Sequence, residues 1–384
     1  MEATDICTLS TLSIGLCGIL FLIQLYYIFG VYNRIHCARR NTSPAPIQYP
    51  PISVIIVTKD SGKALEENLP AILEQDYPEF EVIVINDKSA GEDDDILKRL
   101  SLRYQNLYQS FIPESARYVS RKKLGIAMGI RASRYEWLVF TEPYCHPTSK
   151  NWLKSIAGHF DDKTDIVLGY SNFLPQSGWF ARKITTIEFF HSLRFLGSAL
   201  AGRPYMGIGR NLAYRKSLYE RHKGFSDHLQ LQRGEDDLFI NAVARKGNTQ
   251  VATEAESIVR MPAPPFKRIW YEEQMNHLVT GHYYKGVSRL MNAIETGTCI
   301  LFQLATLCTL ALSIFQQWWT GVAIAFLLWL IRFACLMMVF RNTAKDLQEN
   351  LCCIFPFFDM ARPFWSIGMK IRYLFRTKTD FMRR

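Results

Sequence analysis

Two apolar, β-rich runs decide the fold: Ser53-Val54-Ile55-Ile56-Val57, leading into Thr58-Lys59-Asp60-Ser61, and Glu81-Val82-Ile83-Val84-Ile85, leading into Asn86-Asp87-Lys88-Ser89. Between them Leu65 to Leu73 carries helical periodicity, and Gln75-Asp76-Tyr77-Pro78 breaks it. The unit predicts strand, helix, parallel strand, with Asp87 at the carboxyl end of the second strand. Open α/β sheets bind ligands at that edge, and an acidic side chain there can hold the ribose or base hydroxyls of a nucleotide.

Outward from this core the composition points to lipid. Of 384 residues, 48% are hydrophobic and 13% aromatic, high enough to expect membrane segments. Thr11 to Tyr32 is uncharged and long enough to cross a hydrocarbon core, too long for a cleavable signal and without a basic start. Gly297 to Trp318 and Trp319 to Phe340 predict a helical hairpin whose turn holds Gln316, Gln317 and the two tryptophans, Trp318 and Trp319. Basic residues follow the first span (Arg34, Arg39, Arg40), precede the second (Lys285, Arg289) and follow the third (Arg341, Lys345). By the positive-inside rule these face the cytoplasm. The net charge of +10 thus sits at membrane boundaries, which argues against a nucleic-acid surface.

The expected organisation is an anchor (1–40), a proline-rich linker (41–51), a cytoplasmic domain (52–290), a membrane hairpin (297–340) and a final region (341–384). In that last region Asn350 to Gly368, interrupted by Pro356 and Pro363, reads as an interfacial segment before a basic tail. Arg332 inside the third span either snorkels, pairs with a neighbour or marks the end of a shorter span. The nine cysteines have no paired metal spacing, and the soluble domain is assigned to a reducing compartment.

Four segments in order carry a resemblance. Strand, Thr58-Lys59-Asp60-Ser61, helix, Gln-x-Tyr-Pro, strand and Asn-Asp-Lys-Ser come first. Then follow Lys122-Lys123-Leu-Gly-Ile-Ala-Met-Gly-Ile-Arg-Ala, Trp137 to Pro147, and Gly224-Phe225 leading to Gly234-Glu235-Asp236-Asp237. From about Ile52 to Tyr284 the chain resembles inverting glycosyltransferases of family 2, of the membrane-anchored bacterial type. The resemblance implies an α/β GT-A fold, a Rossmann-like nucleotide-diphospho-sugar transferase domain, flanked here by three transmembrane helices.

By that resemblance Thr58, Asp60 and Asp87 meet base and ribose, and Lys122 approaches the nucleotide, with Lys123 as a competing register. The family's Asp-x-Asp, which holds a divalent cation against the diphosphate, reads Glu142-Pro143-Tyr144 here. A phenol replaces a carboxylate poorly, so Glu142 alone remains to ligate magnesium or manganese, and metal dependence is in question. In Gly234-Glu235-Asp236-Asp237 the resemblance makes Asp236 the general base for an acceptor hydroxyl, with a one-residue slip to Asp237 as the alternative. The family's Gln-x-x-Arg falls on Glu273 to Asn276 or on Gln274 to His277, and either way the arginine is missing; His277 replaces its charge only if protonated. Arg210 and Glu235 are assigned to the acceptor and phosphate side, with a structural salt bridge as the alternative for Arg210.

Two function classes follow. The first is a glycosyltransferase of the inner membrane, its domain cytoplasmic, moving a sugar from a UDP-linked donor to a lipid-linked or cell-surface glycan acceptor by single-displacement inversion. The second is a degenerate relative acting as a nucleotide-binding scaffold. A processive synthase with its own channel is disfavoured, because three spans hardly enclose a pore. Gln176 to Tyr205, with Phe180, Ile184, Ile187 and Phe190 at helical spacing, reads as core or membrane-facing surface.

Overall fold

The structure is a computed structural model that describes residues 3–39, 49–88, 91–116, 118–351 and 355–375. The linker expected at 41–51 lies outside the described residues up to Gln48, as do Ser89, Cys352, Cys353 and the basic tail beyond Phe375.

Ten strands form two sheets: β1 (Ile52–Thr58), β2 (Phe80–Asn86), β3 (Leu107–Phe111), β4 (Trp137–Phe140), β5 (His146–Pro147), β6 (Ile166–Gly169), β7 (Ser171–Phe173), β8 (Leu212–Arg215), β9 (Thr249–Ala252) and β10 (Val259–Met261). The large sheet has the order β3-β2-β1-β4-β8-β6-β9 and the small one β5-β10-β7. β1 runs parallel to β2, with Thr58 opposite Asn86, and parallel to β4, with Ile55 opposite Phe140. β8 is antiparallel to both β4 and β6. The first two strands are each slightly longer than the sequence suggests.

Strand order reverses beside β1, where β2 lies on one side and β4 on the other. Chain segments leaving adjacent strands in opposite directions open a crevice at their carboxyl ends. The residues after Thr58, Asn86 and Phe140 therefore share one edge. Apolar β1 is covered by Arg121–Ala132, whose Gly125 and Gly129 lie one turn apart. A Cβ at Gly129 would meet Ile55 at 2.6 Å and one at Gly125 would meet Val57 at 2.8 Å. Two missing side chains thus let this helix lie close on the sheet and bring Lys122 to the sheet's edge.

Among the described residues, three helices are long and apolar enough to cross a membrane: Thr11–Ala38, Val287–Phe315 and Trp319–Asp346. They pack on one another through polar contacts, Gln24 Nε2 to Thr298 Oγ1 at 2.8 Å and the Tyr27 hydroxyl to the Met291 carbonyl at 2.8 Å. Outward they expose Leu12, Leu16, Ile19, Leu22, Leu301, Leu304, Leu307, Phe326 and Leu327. Polar inside and apolar outside is the arrangement of helices in lipid.

Two boundaries differ from the sequence reading. The helix at Val287 begins ten residues before Gly297, so the domain limit at 290 falls inside it. The polar first turns of this helix carry no hydropathy signal. The chain expected to be broken at Pro356 and Pro363 is one helix, Phe355–Leu374. Pro356 lies in its first turn, where an amide hydrogen has no helical partner anyway.

That helix answers the question of Arg332, which is buried and donates to Asp359 at 2.7 Å and to Gln24 at 3.1 Å. Of the alternatives, pairing is what occurs. Glu295, buried in the second apolar helix, is likewise met by Arg362 at 2.6 Å, Arg194 at 3.1 Å and the Tyr32 hydroxyl at 2.6 Å.

Candidate active site

The site residues fall into two groups along the sheet edge. At the ends of β1 and β2, Asp87 is buried and held by Arg121 and, at 3.1 Å, by Lys59. Asp60 is exposed, adopts φ +49° and pairs with Lys88. Thr58 departs from expectation. Its hydroxyl is buried and donates to Asp93 at 2.7 Å, while Asp93 also accepts from the Ser61 amide at 2.8 Å. Thr58 therefore shapes the loop after β1 rather than facing the crevice. Asp93 and Arg121 escaped the sequence reading. Asp93 hid in the acidic first turn of Glu92–Arg103, and Arg121 stood beside two more conspicuous lysines.

The second group lines one cavity: Lys122, Glu142, Tyr144, Arg210, Arg233, Glu235, Asp236, Glu273, Asn276 and His277 are all on its wall. Of the two lysines, Lys122 is the one on this cavity wall. Its Nζ lies 2.7 Å from Glu142 and 3.0 Å from Glu235. Lys123 points away, buried, and donates to the carbonyls of His228 at 2.6 Å and Leu231 at 2.9 Å.

Asp236 ends the loop before the helix Asp237–Val243 and caps it. One carboxylate oxygen accepts from the Asp237 amide at 2.8 Å and the other from the Gly209 amide at 2.8 Å. Each oxygen keeps a second lone pair, and the side chain is only half-buried, so an acceptor hydroxyl can reach it. Gly234, at φ +100°, makes the turn that presents the acids, and a Cβ there would meet Leu238 at 2.5 Å. Asp237 is a different group. It is buried, accepts from the Tyr284 hydroxyl at 3.0 Å and from the Leu238 amide at 2.8 Å. Burial, then the neighbouring Asp236, pushes its carboxyl up to about 7. Both acids line the cavity, Asp236 half-buried and Asp237 buried.

Burial opposes the charge on Glu235, but Lys122 and Arg233 outweigh it and hold the carboxyl at about 2. Glu142 is likewise lowered, burial being overcome by Lys122, Arg210 and Arg233. Arg210 is buried against Glu188, so its assignment to the phosphate side resolves largely into a structural salt bridge at the cavity wall. His277 is pushed down by burial, against the pull of Glu188 and Asp236, and stacks edge-on against His191 at 5.3 Å. A neutral imidazole does not replace the missing arginine.

On the helix Lys267–Gly281, Glu273, Asn276, His277 and Thr280 share the face turned to this cavity, while Gln274 is on another. Both residues of the Glu273–Asn276 alignment thus line this cavity, and of the Gln274–His277 alignment His277 alone does. Arg233, absent from the sequence reading, is exposed at the same wall and has no ion pair among the described residues. It stood out by no motif, only by lying two residues before Glu235.

The donor set does not fit a divalent cation. Glu142 is occupied by an ammonium, its expected partner is the phenol of Tyr144, and no group of three or more His, Cys, Asp or Glu able to hold a metal occurs among the described residues. A hard cation needs several oxygen ligands, and Lys122 sits between the two carboxylates nearest to hand.

Residues 53–223 match the model of glycosyl transferase family 2. This segment is a family 2 glycosyltransferase domain in the GT-A fold. An uncharacterized glycosyltransferase of Rickettsia conorii is 25% identical over 139 residues, which is 36% of this chain and 22% of the relative. The chain thus spans about a fifth of that relative's length. The mannosyltransferase PcManGT of Pyrobaculum calidifontis, solved with GDP-mannose and manganese, superposes with a TM-score of 0.56 at 19% identity, covering 88% of this chain and 99% of that one.

Proposed function

We propose that this chain is a membrane-anchored, inverting glycosyltransferase that moves a sugar from a nucleoside-diphosphate donor to an acceptor hydroxyl, with Asp236 as general base. The observation that carries the reading is the half-buried Asp236 carboxylate, oriented by two backbone amides in a cavity that also holds Lys122 and Arg233. The acceptor oxygen attacks the anomeric carbon, its proton passes to Asp236, and the bond to the diphosphate breaks with the electron pair leaving on the phosphate oxygen. Asp60 and Asp87 lie on the base-and-ribose side. Arg233 meets the diphosphate's growing charge in place of the missing arginine, and Lys122 contributes from beneath it. A uridine nucleotide, a lipid-linked or glycan acceptor, and a cytoplasmic face of the inner membrane for the domain complete the proposal. PcManGT is a manganese complex, but the lysine between Glu142 and Glu235 supports a metal-independent site here.

The test is titration of the purified full chain with UDP-sugars, with manganese or with a chelator, followed by donor turnover in wild type and Asp236→Asn. Binding and turnover are expected without metal, and turnover is expected to fall by 100-fold or more (roughly the low end of a base's contribution) in Asp236→Asn. Turnover unchanged in Asp236→Asn would remove it as the base. Donor binding without turnover supports the nucleotide-binding scaffold, the reading favoured by Tyr144 and by the missing arginine.

A further inference from the structure

A second cavity, of about 530 Å³, lies between the helices Trp179–Leu200, Lys267–Gly281, Val287–Phe315 and Phe355–Leu374. It shares His277 with the site above and reaches Cys299, so along the apolar helix it runs from Arg289 for ten residues, about 15 Å at the helical rise. Its volume is that of a small-molecule site. Phe190, Phe358 and Trp365 supply apolar wall, and Ile187 to Phe190, within the stretch read as core or membrane-facing surface, form one side.

The charge on its wall is one-sided. Arg194, Arg289, Arg362 and Lys370 line it, and among the described residues no Asp or Glu does. Arg194 and Arg362 share the single carboxylate of Glu295, so the three together carry one positive charge, and the buried Nε of Arg194 has no hydrogen-bond partner. Arg289 donates only to the carbonyl and ring of His282, and neither it nor Lys370 has a carboxylate partner among the described residues. Unpaired cations beside an apolar channel match an amphiphile with an anionic head. Guanidinium groups suit phosphate best, because they bind it through two parallel hydrogen bonds.

We infer that this cavity binds the acceptor, a lipid whose head carries a phosphate and, beyond it, a sugar or polyol hydroxyl. The inference rests on the transferase reading above. The phosphate lies against Arg194, Arg289 and Lys370, the chain lies along Phe190, Phe358 and Trp365, and the head passes His277 toward Asp236. His277, shared by both cavity walls, stands where a hydroxyl-bearing group crosses from one to the other.

The probe is dioctanoyl phosphatidylglycerol, which has a phosphate and a polyol head, added to delipidated full chain in neutral detergent and counted by native mass spectrometry. Dioctanoyl phosphatidylcholine and octyl glucoside are the comparisons, lacking a free head hydroxyl and a phosphate respectively. One saturable phosphatidylglycerol site is expected, at least tenfold tighter than for either comparison. It is expected to weaken at least tenfold in Arg289→Glu/Lys370→Glu and in the cavity-filling Ala293→Trp, both checked for folding by gel filtration. Equal binding of all three amphiphiles, or unchanged binding in both folded variants, overturns the site. If wild type binds phosphatidylglycerol as described but fails to bind or turn over any nucleotide-sugar, the transferase reading fails while the lipid site stands.

Discussion

Asp236 and Asp237 are neighbours in the chain with opposite physical fates. Asp236 accepts from the Gly209 amide and is half-buried, whereas Asp237, on the same cavity wall, is buried and bonded to Tyr284. Burial raises the Asp237 carboxyl to about 7, above its unfolded value of roughly 3.9. Between those values the folded state holds a proton that the unfolded state has lost, so stability falls as pH rises through that window. In Asp237→Asn this loss is expected to vanish. Thermal melts of the two proteins should coincide near pH 4 and diverge by pH 8, with the variant the more stable. Melts that keep one difference at every pH would show that Asp237 does not titrate there.

Arg233 is exposed at the cavity wall and forms no ion pair among the described residues, though it helps hold the Glu235 and Glu142 carboxyls low, so its removal probes the donor side. Arg233→Ala is expected to weaken nucleotide-sugar binding by about 1.5–3 kcal/mol, the range for a hydrogen bond to a charged group, or roughly tenfold to a hundredfold in Kd. Calorimetry with a UDP-sugar measures this directly. Unchanged affinity would leave Lys122 as the cation for the diphosphate. Lys122 itself was legible from its motif, but its register was not. Two adjacent lysines look alike in sequence, and only the helix's seat on β1 decides which one points into the crevice.

At the scale of elements, the first strands, their order and the carboxylate after β2 were legible because a parallel strand buried on both faces needs an apolar run, and a turn residue must end it. The ends of the long helices were not legible. A helix that begins amphipathic and becomes apolar shows hydropathy only where it enters the apolar layer, so Val287 was placed in the domain. The paired glycines of Arg121–Ala132 make a test at this scale. Gly129→Val must displace Ile55, which its Cβ would approach at 2.6 Å. Overpacking of this kind costs about 1–3 kcal/mol. A lower melting temperature is expected, with donor affinity falling as Lys122 moves away from the crevice. A melt equal to wild type would mean that the helix shifts without strain.

For the whole molecule, the ion pair between Arg332 and Asp359 ties the last described helix to the apolar bundle, and through Arg362 and Glu295 to Arg194 of the soluble domain. Removing one member leaves a buried charge alone, so Arg332→Met is expected to destabilise by about 3–5 kcal/mol. Arg332→Met/Asp359→Leu, which buries two apolar groups instead, is expected to recover most of that. Unfolding in detergent, followed by tryptophan fluorescence, separates the two. Equal losses in single and double variants would mean that the pair does not carry the docking.

By itself the sequence determined the α/β core, the three apolar helices and the family motifs. Those rest on local periodicity and on residue types that a short segment must have to form a buried strand, a helix in lipid or a cap. Tertiary structure decided which groups meet. It turned Thr58 toward Asp93, gave Arg210 to Glu188, set Lys122 between Glu142 and Glu235, and brought Arg233, just before the Gly234-Glu235-Asp236-Asp237 motif, to the wall. Burial and charge pairing depend on residues far apart in the chain, so their partners appear only once the chain has folded.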